Sequence, residues 1–123
     1  MSHTILQPSF TRSDQRGILR ELLNQGVWQS ILQGEMVTGA VMGNHYHQQT
    51  QVFFFMLSGQ VEGVTENVQT QARDHFILNA LEGVILQPNI SHKLTFAQGG
   101  AFLLLKSLPY DPQNPDTFHY PVE

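Results

Sequence analysis

The residues of this 123-residue chain that could do chemistry gather in one pattern: Gly39, then His45-Tyr46-His47, then Gly59, and later Pro88-Asn89-Ile90-Ser91-His92. Successive side chains of a strand alternate faces, so His45 and His47 point one way and Tyr46 the other. A third imidazole from another strand, His92, would complete a three-nitrogen site. Such a site has vacant positions for water or substrate and suits a divalent metal, Zn, Fe or Ni. An isolated His-x-His pair is more often solvated surface than ligand; two matched motifs at strand-like spacing reverse that weighting. The chain has no cysteine, which excludes disulfides, thiolate ligands and cysteine nucleophiles and leaves His and carboxylates as the metal ligands available.

The elements that must position these residues are strands. Apolar residues come in short bursts separated by Gly, Pro, Asn and Gln: Val27 to Val37, Ala40 to His47, Val52 to Leu57, Gln60 to Thr65, His75 to Leu78, Gly83 to Leu86, His92 to Phe96 and Ala101 to Leu105. Eight such segments, rich in Phe, Val and Ile, predict an all-β sandwich or barrel. Gly59, Gly63, Gly83 and Gly99-Gly100 read as turns or bulges, Asp74-His75 as a turn, and Ile18 to Leu23 as the best, though weak, helical segment. One domain over residues 1–123 is expected, with 109–123 too proline-rich for a sheet interior and therefore a tail lying over the barrel or a partner subunit.

Charge narrows the partners. Six Lys and Arg against ten Asp and Glu give a net charge of −4 without a basic cluster, so nucleic acid and anionic membranes lack the attraction they need. No run approaches the roughly 18 apolar residues of a membrane span, and the first residues carry no signal-peptide pattern, so a cytoplasmic protein is expected. Small molecules remain as ligands. The apolar strand Val52 to Leu57 favours pairing with another copy, which predicts a homodimer.

The histidine spacing resembles that of the cupin family, whose first motif is Gly-x5-His-x-His-x3-4-Glu-x6-Gly and whose second carries a Pro and then a His. Gly39, His45, His47, Gly59, Pro88 and His92 fall in register with it, and the resemblance covers about residues 39 to 96. It implies a double-stranded β-helix, the jelly-roll barrel. The position the family fills with Glu is Val52, or Gln51 with the shorter spacing, so a metal would rest on His45, His47 and His92 with Gln51 as a weak fourth ligand. Some cupins use three His alone and others have lost the metal.

Asp14-Gln15-Arg16-Gly17, Gly43-Asn44-His45-Tyr46-His47 and Tyr110 to Thr117, which ends in Asn-Pro-Asp-Thr, extend the likeness. Together they resemble the C-terminal cupin domain of capsular polysaccharide reductase/epimerases and, more distantly, the nucleotide-sugar ketoisomerases. That resemblance implies a nucleotide-linked 4-keto-6-deoxy sugar as substrate, epimerisation through an enediol, and a place in cell-surface polysaccharide synthesis. The chain departs from the pattern at Met42, where a basic residue is usual, and at Asn89, where Gly is usual.

Such chemistry needs a base to take the proton beside a ketone and a cation or donor to hold the enolate. His45, His47 or His92 would be the base, and a His-bound metal, a protonated His or Lys93 would hold the enolate. Arg16 is a candidate diphosphate contact by its fork geometry, against an ion pair with Asp14; Asn44 joins it as a substrate contact. Trp28 could stack on a sugar, although a lone Trp in a β-rich domain is more often core. Phe53, Phe54 and Phe55 read as core plus dimer contact, and His3 and His119 as solvated. Two further readings stand beside the epimerase: a non-catalytic cupin that binds a small molecule at a degenerate metal site, and a three-His iron oxygenase.

Overall fold

The computed structural model describes residues 3–123. Its strands are β1 (Phe10–Asp14), β2 (Gly17–Glu21), β3 (Ser30–Met36), β4 (Val41–Tyr46), β5 (Val52–Met56), β6 (Gln60–Asn67), β7 (Arg73–Leu78), β8 (Glu82–Leu86), β9 (Ile90–Gln98), β10 (Gly100–Lys106) and β11 (Phe118–His119). β3 to β10 coincide in order with the eight apolar bursts. They form two facing sheets, β3-β10-β5-β8 and β11-β4-β9-β6-β7, with antiparallel pairing throughout. The chain crosses between the sheets at nearly every step from β3 to β10. That path is a jelly roll, here with the two sheets unclosed at their edges.

Alternation decides what fills the space between the sheets. Val52, Phe54 and Met56 of β5 meet Val61, Phe76, Leu78, Val84, Leu86, Leu94, Phe96 and Phe102 in one core. Phe54 stacks on Phe102 at 5.1 Å between ring centres and meets Phe96 edge-on at 6.4 Å. Phe53 and Phe55 take the opposite face, yet they are only 1% and 0% exposed. Trp28 lies 6.4 Å from Phe53, so the chain covers these rings itself and they are not a dimer contact. β5 is also an interior strand between β10 and β8, which removes it as a pairing edge for a second copy.

Several local expectations change. Ile18 to Leu23 is not helical: β1 and β2 form a hairpin, closed by the Arg16 N–H on Asp14 Oδ1 at 2.9 Å and by Gly17 at φ 144°. Asp74-His75 lies inside β7, paired with Thr65 and Val64, so no turn forms there. Gly63 sits within β6 because a Cβ would come 2.2 Å from the Phe76 ring, and Gly83 does the same for Phe53 and Phe55. The tail folds back over its own chain. Phe118 and His119 pair with Tyr46 and His45, the Tyr120 N–H donates to the Asn44 carbonyl at 2.8 Å, and Val122 is buried.

One irregularity sets the side chains of β4. Its register on β9 runs Met42 to Leu94 and Gly43 to Lys93, then jumps to His45 opposite His92, leaving Asn44 as the extra residue of a β-bulge. Asn44 adopts φ 57°, the left-handed region that Asn tolerates better than most residues. Residues three apart in a regular strand face opposite ways. The bulge lets both Met42 and His45 face the interior, Met42 against the apolar core and His45 toward His92. Gly43, at φ 100°, lets the strands approach: a Cβ there would lie 2.4 Å from the His92 carbonyl oxygen and 2.9 Å from its ring.

Gly43→Ala therefore carries backbone strain of about 1–3 kcal/mol in addition to the clash with His92. Its urea midpoint should fall well below that of wild type. Val37→Ala, at a position 77% exposed, should stay within about 0.5 kcal/mol of wild type. Equal midpoints for the two variants would show that the bulge does not need glycine.

Candidate functional site

His45, His47 and His92 converge at one end of the space between the sheets. Ring centres are 5.2 Å apart for His45 and His47, 4.8 Å for His45 and His92, and 6.3 Å for His47 and His92. The bulge supplies the first two, and β9, on the same face as Leu94 and Phe96, supplies the third. Tyr46 points outward and stacks on Phe118 at 5.4 Å.

Burial governs the electrostatics. It lowers His92 from the ordinary 6.5 to about 3, with the neighbouring His45 and His47 opposing a charge further. His45 is lowered by burial first, then by His47, and more weakly by Lys106 and His119. Both imidazoles are therefore neutral at pH 7. His92 Nδ1 is buried with no hydrogen-bond partner among the described residues. His47 Nδ1 donates to the backbone carbonyl of Asp116 at 2.5 Å.

Lys106 was not anticipated as a site residue. It pairs across to Val52, whose side chain is in the core, and its charge reaches His45. Directly paired residues share a face, so Lys106 leaves β10 on the side of the histidines, and its Nζ lies 5.7 Å from the centre of the Tyr110 ring. The signal was available in Phe102-x-Leu104-x-Lys106, which carries the lysine inward by parity from a core phenylalanine. Lys93 is corrected by the same rule: it adjoins His92 on β9 and so faces the other side of the sheet.

The remaining expected site residues lie elsewhere. Arg16 pairs with Asp14 at 2.7 Å on the exposed β1–β2 hairpin, with its side chain 74% exposed. Asn44 spends its Oδ1 on the Val122 N–H at 3.0 Å and serves the bulge and the tail. Trp28 donates its indole N–H to the Gln25 carbonyl at 2.8 Å and packs near Phe53 on the outer face. His119 is exposed on β11, as expected. His3 is not solvated: its Nε2 is 2.8 Å from Thr65 Oγ1 and its ring meets Phe76 edge-on. It lines a cavity of about 480 Å³ with Thr65, the cross-strand partner of His92.

Among the described residues these donors do not fit a metal. Among the described residues no three His, Asp or Glu side chains are arranged to hold a common ion. The family's carboxylate position is Val52, buried in the apolar core, while the Gln51 amide donates to Gln87 Oε1 at 3.0 Å. No step below runs through a metal.

No protein-family model matches the chain, and no curated protein does. Solved structures do. The WlaRB TDP-quinovose 3,4-ketoisomerase of Campylobacter jejuni is 21% identical, with a TM-score of 0.79 over 95% of this chain and 92% of that one. The rmlC epimerase of Mycobacterium tuberculosis is 18% identical, with a TM-score of 0.75 over 89% of this chain and 65% of that one. The capsular polysaccharide assembling protein CapF of Staphylococcus aureus is 20% identical, with a TM-score of 0.72 over 92% of this chain. The chain spans about two thirds of the rmlC epimerase and 32% of CapF. At these identities the likeness establishes the fold, the cupin jelly roll expected from the histidine spacing.

Acid should reveal the buried His92. The unfolded chain takes up this proton near 6.5 and the folded chain only near 3, so the unfolded state binds more protons between those values. Stability is then complete above about pH 6.5 and falls as the pH drops toward 3. Urea midpoints measured from pH 7 to 4 should decline, and His92→Gln should show a shallower slope. Parallel slopes would mean that His92 is not held neutral in the fold.

Proposed function

We propose that this protein is an epimerase or isomerase acting on a nucleotide-linked 4-keto-6-deoxy sugar, within cell-surface polysaccharide synthesis. The observation that carries the reading is the cluster of His45, His47 and His92 in one mouth, with at least two of them neutral, on the same sheet face as Lys106. Neutral imidazoles can accept protons, and a lysine on that face can balance the charge that results. The similar solved structures described as an epimerase and a ketoisomerase support the substrate class.

In this reading His47 or His45 takes the proton from the carbon beside the ketone. The C–H electron pair moves into the carbon skeleton and the ketone oxygen becomes an enolate, which the Lys106 ammonium stabilises. Return of a proton to the other face of that carbon gives the epimer. Delivery of that proton to the former ketone carbon instead, with the hydroxyl proton of the deprotonated carbon passing to the enolate oxygen, gives the shifted ketone. No oxidant or external cofactor is consumed. A second reading, a non-catalytic cupin that binds a small molecule, is favoured by the apolar Val52 and Met42 where the family has Glu and a basic residue.

We also retain the homodimer and move its contact. The β1–β2 hairpin exposes all ten of its strand residues, including Phe10, Ile18 and Leu19 at 51%, 56% and 55%. A two-stranded hairpin is marginal alone, so a second copy is its natural support. Residues 109–123 belong to the same single domain in this reading.

Two measurements follow. With a panel of nucleotide-linked 4-keto-6-deoxy sugars, solvent deuterium should enter the carbon beside the ketone, and Lys106→Met should slow that exchange by about a hundredfold. Binding without exchange would favour the non-catalytic reading, and neither binding nor exchange would end the sugar proposal. Light scattering after size exclusion should give twice the 13.9 kDa chain mass; a single chain mass would overturn the dimer.

A further inference from the structure

The tail segment that expectation left as a covering holds a specific contact set. The Asp116 carboxylate accepts three consecutive backbone N–H groups, from Gln48 at 2.7 Å, Gln49 at 2.9 Å and Thr50 at 2.8 Å, and the Thr50 hydroxyl at 2.8 Å. Those residues form the turn that immediately follows His47. Successive N–H groups aimed at one point make an anion-binding concavity, and here a residue of the same chain fills it. Burial works against the charge on Asp116, and the hydrogen bonds from Gln48, Gln49 and Thr50 outweigh it, so the carboxylate stays below its ordinary range.

The consequence reaches His47. With its side chain seated on the turn, Asp116 presents its own backbone carbonyl to His47 Nδ1. A carbonyl oxygen can only accept, so Nδ1 must carry the proton, and a neutral imidazole then has its lone pair at Nε2. No hydrogen bond reaches Nε2 among the described residues. We propose that Asp116 is a positioning residue that fixes His47 as the Nδ1–H tautomer and leaves Nε2 as the nitrogen that takes the substrate proton. The assignment of that nitrogen as base rests on the proposed function; the tautomer itself does not.

The tail is fastened independently on either side of this contact, which is why removing the carboxylate should leave the fold standing. Downstream, β11 pairs with β4, the Ser91 hydroxyl donates to the Tyr120 carbonyl at 2.6 Å, and Val122 is buried at 1% exposure. Upstream, the Ser107 N–H donates to the Gln51 carbonyl at 3.0 Å. Asp116→Ala therefore releases the His47 turn from the tail without releasing the tail from the sheet.

Long-range proton–nitrogen NMR of histidine-labelled protein, with His47 assigned through His47→Gln, reads the tautomer without any substrate. Wild type should show His47 protonated at Nδ1, and Asp116→Ala should move it toward the Nε2–H form or a mixture. An Nε2–H signature in wild type, or an unchanged signature in Asp116→Ala, overturns the proposal. If Asp116→Ala does not fold, Asp116→Asn, which keeps the size and one acceptor oxygen, takes its place, and the wild-type signature still decides. On a turned-over sugar, Asp116→Ala should lower kcat by about 10- to 100-fold with KM little changed, the pattern of a lost orientation. A tautomer shift in a protein whose wild type exchanges no sugar proton would refute the epimerase reading and leave the positioning role in place.

Discussion

The arrangement depends on one extra residue in β4. Without Asn44 as a bulge, parity would continue from Met42, which is committed to the core, and would send His45 and His47 to the outer face with Lys93. The shift lets one strand serve two needs, apolar packing at its start and a polar site at its end. It imposes local conditions. Gly43 must lack a side chain because the His92 carbonyl is too close, and Asn44 must accept a left-handed backbone. Gly-Asn-His is in this light a backbone motif before it is a ligand motif.

The bulge also explains why the tail follows the course it does. A bulged residue leaves backbone groups without a ladder partner, and the tail takes them up: the Asn44 carbonyl accepts the Tyr120 N–H and its side chain accepts the Val122 N–H. The same stretch places Asp116 over the turn after His47. Two ends of a short segment of β4 are thus tied by one pass of the C-terminal chain. That coupling gives the polar residues of the tail a structural reason beyond solvation.

The legible part of the sequence was what repeats locally. Eight apolar bursts marked β3 to β10 because alternating apolar residues must bury one face, and the shared face of His45 and His47 followed from the same alternation. β1 and β2 carried no such mark, since every residue of the hairpin is exposed and no buried face imposed a pattern. β11 is two residues long and exists through its pairing with β4, information that lies seventy residues away. Of the expected candidates, the three histidines come together and Lys93 does not join them. Lys93 drew notice by adjoining His92, but adjacency in a strand separates side chains, whereas two-residue steps from Phe102 lead to Lys106.

The chemistry left to this site follows from what the fold withholds. Val52 occupies the carboxylate position with an apolar side chain in the core, and among the described residues no Asp or Glu joins the imidazoles in a group that could hold an ion. Burial then acts on the histidines without a counter-charge. It lowers His92 and His45, and the charge of Lys106 lowers His45 further. Buried imidazoles of this kind stay neutral in their resting state, which is the form that the proposed proton transfer asks for. The same three imidazoles carry the metal-ligand spacing of the sequence and the geometry of the proposed proton transfer, and Val52 in the core favours the second.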